Sequence, residues 1–384
     1  MKKIVVIGAG FAGLTAAMKL KKCSIKKGFE VTLVSDKDDF TFLPMLPDCL
    51  GQRIKLEHLA FEARALSHRY GFDFVKDKVV SVDLEKKIVS TTALELDYDY
   101  LVIASGSQTN FYGNRQIEER AFKLDDVFDA RLIRGIAAKH DRDAYIVSGA
   151  GYTGIEVATH LKAYFKKNNL NKRVIIVERA HSILAMLEPW MRDYCLDNLK
   201  SSGIEVSTDT AVTLAGEKDV ALSDGRIFDN ALLIWASGVR CADFIQNLPV
   251  PKNQQGRIIV DRYLRLNDSC FAAGDACYFK EGDNFLRMAV QFAIMEGLSA
   301  AGNIIRSIQG RKLLSYRPVD LGFIIPMANY RSCGRILGIN MKGRIPTAMH
   351  YLMCIYRVYG FKNKIGIISD LIKALFLSGK GGPR

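Results

Sequence analysis

The feature that most constrains this chain is a glycine pattern that occurs twice in the same setting. Ile4–Ile7 is a β-branched run that stops at Gly8-Ala9-Gly10-Phe11-Ala12-Gly13, passes into a helical pattern from Leu14 to about Lys27, and is followed by a second run, Val31–Val34, ending at Ser35-Asp36. That order is strand, glycine turn, helix, strand: a βαβ unit. Further on, Ala144–Ser148 leads into Gly149-Ala150-Gly151-Tyr152-Thr153-Gly154, a helical pattern runs to about Lys167, and Val174–Val177 ends at Glu178. Each unit has a matching closing segment, Tyr100–Gly106 and Leu232–Gly238, and both end in Ala-Ser-Gly. The repeat of unit plus closing strand predicts an α/β fold with two homologous Rossmann-type domains. A chain of 384 residues has the length for two such domains.

Glycine is needed at these positions for different reasons. Gly8 and Gly149 permit the tight turn. Gly10 and Gly151 let the backbone approach a pyrophosphate, and Gly13 and Gly154 let the helix pack against its strand. The start of each helix then offers unpaired N–H groups and the positive end of its dipole to phosphates. The residue closing the second strand holds a ribose hydroxyl. In the second unit it is Glu178, whose carboxylate favours NADH over a 2′-phosphorylated cofactor, although Arg179 follows it. In the first unit either Ser35 or Asp36 serves, and the sequence leaves both open.

The charge is uneven. The chain carries +13 overall, yet residues 331–384 hold ten Lys/Arg against one acid, Asp370. A basic block of this kind predicts an anionic partner, a membrane surface or a nucleic acid. Within it, Leu352, Ile355, Tyr356 and Tyr359 share a helical face over 349–361 with Met349 and Tyr351, while His350 and Arg357 fall on the other. After a break at Gly360 and Lys362-Asn363-Lys364, a second stripe follows: Ile365, Ile368, Ile372 and Leu375. Two amphipathic helices of this composition predict an interfacial membrane anchor rather than a nucleic-acid tail. The alternative is a helix pair docked on the core. No apolar run has the length to span a bilayer. The strand-like start after Met1-Lys2-Lys3 predicts no secretory leader. The eight cysteines (23, 49, 195, 241, 270, 277, 333 and 354) form no C-x-x-C pair and no zinc-like spacing, and predict free thiols in a reducing compartment.

The order of elements resembles the flavoproteins with two dinucleotide-binding domains, and within them the type II NADH dehydrogenases, single-subunit NADH:quinone oxidoreductases. The resemblance covers essentially the whole chain. It is carried by Gly149–Glu156 (GAGYTGIE), Ile234–Arg240, Gly274-Asp275 at the end of an apolar strand, Val290–Ala293, and Tyr356–Lys364. It implies FAD in the first unit, held by Gly8, Gly10, Gly13, Ser35 or Asp36, Val79, Gly106, Asp275 and Val290. It implies NADH in the second, held by Gly149, Gly151, Gly154, Glu178 and Gly238. Glu156 is implied to lie between the flavin and nicotinamide regions, and Gln291 beside the flavin ring where quinone docks. A helix beginning near Gln291 would aim its positive end at the anionic side of a reduced flavin. The apolar loop Phe40–Leu50 would line the same pocket. The chain departs from the family's Ala-Gln-x-Ala-x-Gln segment, with Val290 for the first Ala and Met295 for the second Gln.

The resulting expectation is a peripheral membrane enzyme on the cytoplasmic face of the cell membrane. It passes two electrons from NADH through non-covalently bound FAD to a membrane quinone, with no metal, no nucleic acid and no proton pumping. The domain expectation is FAD on residues 1–112 and 243–330, NADH on 113–242, and an anchor over 331–384. A homodimer built through the tail is compatible with the pattern, which does not specify it. Two rivals remain. A sulfide:quinone oxidoreductase shares the fold but needs cysteines near the flavin; Gly149–Glu156 has none, and Cys333 is the one candidate position. The other is a non-enzymatic flavin redox sensor with a basic tail. A disulfide reductase of the glutathione-reductase type is excluded because the chain has no C-x-x-C or C-x₄-C pair.

Overall fold

The computed structural model describes residues 1–24, 28–281 and 284–378. The chain forms two compact units. The first comprises Met1–Phe40, Phe61–Gln108 and Val239–Asp320, the second Thr41–Ala60, Thr109–Gly238 and Leu321–Arg384. The expected end of the first helix near Lys27 and the last residues of the expected anchor, 379–384, lie outside the described residues.

The first unit is built on a five-stranded parallel sheet, in the order Cys270–Ala272, Tyr100–Ile103, Lys2–Ile7, Phe29–Ser35, Asp73–Lys76. Lys2–Ile7 is central and pairs in register with both neighbours, Ile4 opposite Val31 on one side and Tyr100 on the other. A strand covered on both faces must be apolar throughout, and Ile4, Val5, Val6 and Ile7 are all buried. Each such side chain contributes about 1.5–3 kcal/mol by leaving water. The Phe11–Ser24 and Val290–Ile308 helices pack closely. Gly297 permits this, because a Cβ there would overlap the Ala12 carbonyl. A small antiparallel sheet, Val79–Asp83, Ile88–Thr91 and Glu95–Asp97, is attached, and Val79 joins the core beside Val5, Val34 and Tyr98.

The second unit repeats the plan with four parallel strands, in the order Glu205–Ser207, Arg173–Val177, Ala144–Ser148, Ala231–Trp235. Ala144–Ser148 is buried at every position, as its central place requires. Its helix is Tyr152–Lys167. Two antiparallel three-stranded sheets complete the β-structure, one over Val212–Phe228 and one formed by Gly322–Ile325, Ser332–Ile336 and Ile339–Gly343. The chain then forms two helices, Arg344–Arg357 and Phe361–Ser378.

The tail helices differ in detail from the expected pattern. The expected break over 360–364 is shorter, because the second helix begins at Phe361, and Lys364 N donates to Gly360 O in its first turn. Asn363, read as part of the break, is buried and donates its Nδ2 to Ala60 O at 3.1 Å. Asp370 is also buried and accepts from His58 Nδ1 at 2.7 Å and Lys55 N at 3.0 Å. Asn363 and Asp370 therefore face inward together with Ile367, while Lys362 is exposed. Leu352, Tyr356, Phe361, Ile365, Ile368, Ile372 and Leu375 face outward, with Tyr356 81% and Leu352 69% exposed. No helix among the described residues is long and apolar enough to cross a membrane.

Candidate active site

The two glycine turns are built alike. Gly8 and Gly149 both have φ +103°, a conformation that favours glycine. A Cβ on Gly8 would overlap the Ala104 carbonyl, and one on Gly149 would lie 2.6 Å from Ala236 O. A Cβ on Gly13 would overlap the Gly8 carbonyl, and one on Gly154 would lie 1.9 Å from Gly149 O. Gly10 and Gly151 have nothing within 4 Å of that position. Two glycines of each turn are thus fixed by packing, and the middle one faces open space. The helix at Tyr152 has Gly151 as its N-cap and no side-chain cap. A helix start of this kind is where a phosphate fits. These cradles fit a dinucleotide in each unit.

In the first unit, Asp275 follows the Cys270–Ala272 strand, and its Oδ2 accepts from Ser107 Oγ at 2.7 Å. Burial raises its pKa, against the Ser107 hydrogen bond and the Arg257 charge. Beneath this loop, Glu296 is buried and accepts from Gly274 N at 2.7 Å. Burial pushes its carboxyl up to about 8, against the Gly274 bond. Ser35 is buried, and its Oγ accepts from Lys37 N at 3.2 Å, while Asp36 is exposed. Gly106 has φ +69° and open space around it. These residues, with Val79, can hold FAD, and the open Gly10 turn is where its pyrophosphate fits.

The helix carrying Val290 and Gln291 begins at Val290. Gln291 is buried, and its Nε2 donates to Asp320 Oδ1 at 3.0 Å. Arg287 holds the same carboxylate with two hydrogen bonds, 2.5 and 2.7 Å. Such a fork fixes the acceptor's plane as well as its place. The Gln291 amide is therefore oriented by Asp320, which the sequence reading did not single out. Met295, at the second Gln position of the family segment, packs against the apolar core.

In the second unit, the Glu178 carboxylate ties the strand end to the glycine turn. It accepts from Ala150 N at 2.7 Å and from Ala180 N at 2.9 Å. Gly238 has φ +91°, beside Tyr112. Trp235 stacks on Phe111 and donates its indole N–H to Asn110 O at 2.8 Å. Glu156 lies in the Tyr152–Lys167 helix. Burial and the charge of Asp48 push its carboxyl well above the ordinary range.

Around Glu156 is a cluster that motif reading missed. His160, one turn further on, is buried; its Nδ1 donates to Glu156 O at 2.8 Å and its Nε2 lies 3.2 Å from Asp48 Oδ1. Tyr351 Oη donates to the same Asp48 oxygen at 2.7 Å and accepts from Arg53 at 3.2 Å. Burial pushes the Asp48 carboxyl up, but the His160 charge and hydrogen bond outweigh it and bring it down to about 2. The Glu156/His160 spacing of four was visible in the sequence. The partners on the 46–50 and 344–357 helices were not, because they are distant in the chain. Cys333, the position considered for sulfur chemistry, is buried with its sulfur 3.4 Å from that of Cys195. Among the described residues no cluster of metal ligands occurs.

The fold and these paired cradles define a dinucleotide-dependent oxidoreductase of two Rossmann-type units, and the comparisons agree. The chain belongs to the pyridine nucleotide-disulphide oxidoreductase family, which it matches over residues 2–297. Within that family it is similar to the type II NADH:quinone oxidoreductases of Staphylococcus saprophyticus and Staphylococcus aureus. It is 26% identical to each over 369 residues, covering 89% of this chain and 92% of theirs. The fold is that of the NDH2 of Plasmodium falciparum in complex with NADH (TM-score 0.86, 19% identity, 98% of both chains). The sulfide:quinone oxidoreductase of Aquifex aeolicus shares it with a TM-score of 0.79 and 17% identity, over 100% of this chain and 96% of that one.

Proposed function

We propose that this chain is a type II NADH:quinone oxidoreductase that works at a membrane surface: NADH, a proton and a quinone give NAD⁺ and a quinol. The observation that carries the reading is the pair of like-built turns, each with one glycine open to a phosphate, in a chain that matches curated type II NADH:quinone oxidoreductases over 92% of their length. FAD, when bound, supplies the two-electron relay between NADH and quinone.

The chain's own residues hold, orient and supply protons. In the first unit, the Gly8–Gly13 turn, Ser35 and Asp275 hold the flavin's phosphates and ribityl side, with Asp36, Val79, Gly106 and Val290 beside them. In the second, the Gly149–Gly154 turn takes the NADH pyrophosphate. Glu178 braces that turn and faces the adenosine ribose, and Gly238, packed against the Tyr112 hydroxyl, lies at the nicotinamide end. Gln291, whose amide nitrogen is oriented by Asp320, donates its other N–H to a carbonyl oxygen of the quinone headgroup. Glu156, kept protonated by its surroundings, is the proton donor for quinone reduction. The outward apolar face and basic charge of the tail rest on an anionic membrane surface, on the cytoplasmic side, where quinone is drawn from the bilayer.

Anaerobic stopped-flow tests the reading. Mixing with NADH should bleach the flavin absorbance rapidly, and a short-chain quinone should restore it. Bleaching by sulfide and not by NADH would transfer the chain to the sulfide oxidisers. Bleaching by neither would leave the fold standing and remove the chemistry.

A further inference from the structure

The last hairpin of the second unit ends in a turn whose sequence suits neither its backbone nor water. Ser332–Ile336 and Ile339–Gly343 pair as far as Ile336 opposite Ile339, so Leu337 and Gly338 alone make the turn. Both have positive φ, +49° and +82°, the type I′ pattern that matches strand twist and favours Asn-Gly or Asp-Gly. A leucine Cβ is crowded in that conformation. Leu184 and Leu264 also take positive φ, but each is buried, and packing offsets the strain. Leu337 is 70% exposed, so it carries the strain and gains no such packing in water.

The turn is held firmly all the same. Leu337 N donates to Leu321 O at 3.2 Å, and Arg335 Nε donates to Gly338 O at 3.3 Å. A Cβ on Gly322 would overlap the Arg335 carbonyl, so the Gly322–Ile325 strand lies tight against the hairpin. Around the tip, Leu321, Ile339 and Ile345 are exposed as well. From Leu321 to Ile345 the chain has four basic residues, Arg331, Arg335, Lys342 and Arg344, and no acid. Arg335 pairs with Glu188 at 2.9 Å, while Lys342 and Arg344 are exposed. The hairpin then runs without a break into the Arg344–Arg357 helix of the tail.

We propose that the Leu337-Gly338 turn is a membrane-inserting tip: Leu337 and Ile339 enter the acyl-chain boundary of an anionic bilayer, with Lys342 and Arg344 at the level of the phosphates. The exposed leucine then has its reason. A polar turn residue would relieve the backbone in water, whereas an apolar phase favours leucine at the same place. A segment with four cations and no acid suits an anionic surface. A two-residue tip is also too small for a stable contact between proteins, which buries about 1,200–2,000 Å². Insertion needs only the side chains themselves to leave water. The inference rests on the reading of the tail as a membrane contact and adds a second, non-helical one. A tip and a helix pair together set the tilt of the unit on the surface.

The test sets stability against binding, in the full chain with FAD bound. Leu337→Asn supplies the residue that the turn favours, and should raise the thermal midpoint by about 1–2 °C. The same variant should lose about tenfold or more in retention on phosphatidylglycerol–phosphatidylcholine vesicles at high salt. Ile339→Thr keeps a β-branched strand residue and should lose retention in the same direction. Leu337→Trp should add fluorescence that lipids brominated along the acyl chain quench. Unchanged retention in both polar variants would overturn the proposal. So would a loss that comes in both only with a lowered thermal midpoint, or an added fluorescence that brominated lipid leaves untouched. Full retention with altered sedimentation of the free protein would assign the tip to a second copy of the chain and overturn it too. Leu352→Glu with Ile368→Glu tests the tail apart from the tip. Retention lost there and kept in Leu337→Asn leaves the tail as the anchor and removes the tip. Retention lost in Leu337→Asn and kept in the tail pair leaves the tip and removes the tail.

Discussion

At the scale of single residues, the buried acids decide how this molecule responds to pH. Asp48 and Glu296 are both almost fully buried, and their environments act in opposite directions. Asp48 is buried, but His160 and Tyr351 at one of its oxygens outweigh that burial, and it is held at about 2. Glu296 has one backbone donor, and desolvation dominates, so it is raised to about 8. An acid whose folded pKa lies above its unfolded value binds more protons folded than unfolded. Its contribution to stability is full below pH 4.5 and is lost as pH rises through about 8. The loss amounts to about 3–5 kcal/mol by linkage. Glu296→Gln keeps an oxygen for Gly274 N and removes the ionisation. Thermal unfolding of the flavin-loaded protein should then show little change for the variant near pH ~5 and a higher midpoint than wild type near pH ~9. Equal midpoints at the alkaline pH would mean that Glu296 is not the group that titrates.

At the scale of elements, the tail helices show what periodicity can and cannot establish. The two apolar stripes were legible, because residues three and four apart share a face. The direction in which each face points was not, since it depends on what the rest of the unit offers. Here the 41–60 segment offers a histidine, a backbone N–H and a carbonyl, and these draw Asp370 and Asn363 inward. Ile367 is buried beside them, but the stripe of Ile365, Ile368, Ile372 and Leu375 is left outside. A water-soluble surface rarely carries so long an apolar stripe without a partner. Charge alone would give binding to anionic vesicles that salt abolishes. An apolar face adds a part that survives salt, about 1.5–3 kcal/mol for each fully buried large side chain. The Leu352→Glu, Ile368→Glu double variant changes two outward positions and should fold normally. It should lose at least about tenfold in retention on anionic vesicles at high salt, the equivalent of ~1.4 kcal/mol. Unchanged retention in sedimentation would place the contact elsewhere on the chain.

At the scale of the whole molecule, the plan was legible because it is written twice. Gly8 and Gly149 adopt the same φ, and each sits against the Ala-Ser-Gly segment that closes its own sheet. Local grammar sufficed for that, whereas the units themselves are assembled from three separate stretches each, which no local pattern reveals. The cluster at Glu156 was hidden for the same reason: Asp48, His160 and Tyr351 are far apart in sequence and share no motif. Two turns of one design, each with its own core, make a separable pair of lesions. In Gly13→Ala the new methyl would meet the Gly8 carbonyl, and in Gly154→Ala it would meet the Gly149 carbonyl. Backbone cannot yield as a flexible side chain does, so each turn must open and its phosphate cradle is lost. Gly13→Ala should purify with little flavin yet still bind NADH by calorimetry through the second unit. Gly154→Ala should purify yellow, with normal flavin content, and fail to bleach on mixing with NADH while still being reduced by dithionite. If both variants lose flavin and NADH together, the turns do not serve separate dinucleotides, and the assignment of one cofactor to each unit falls.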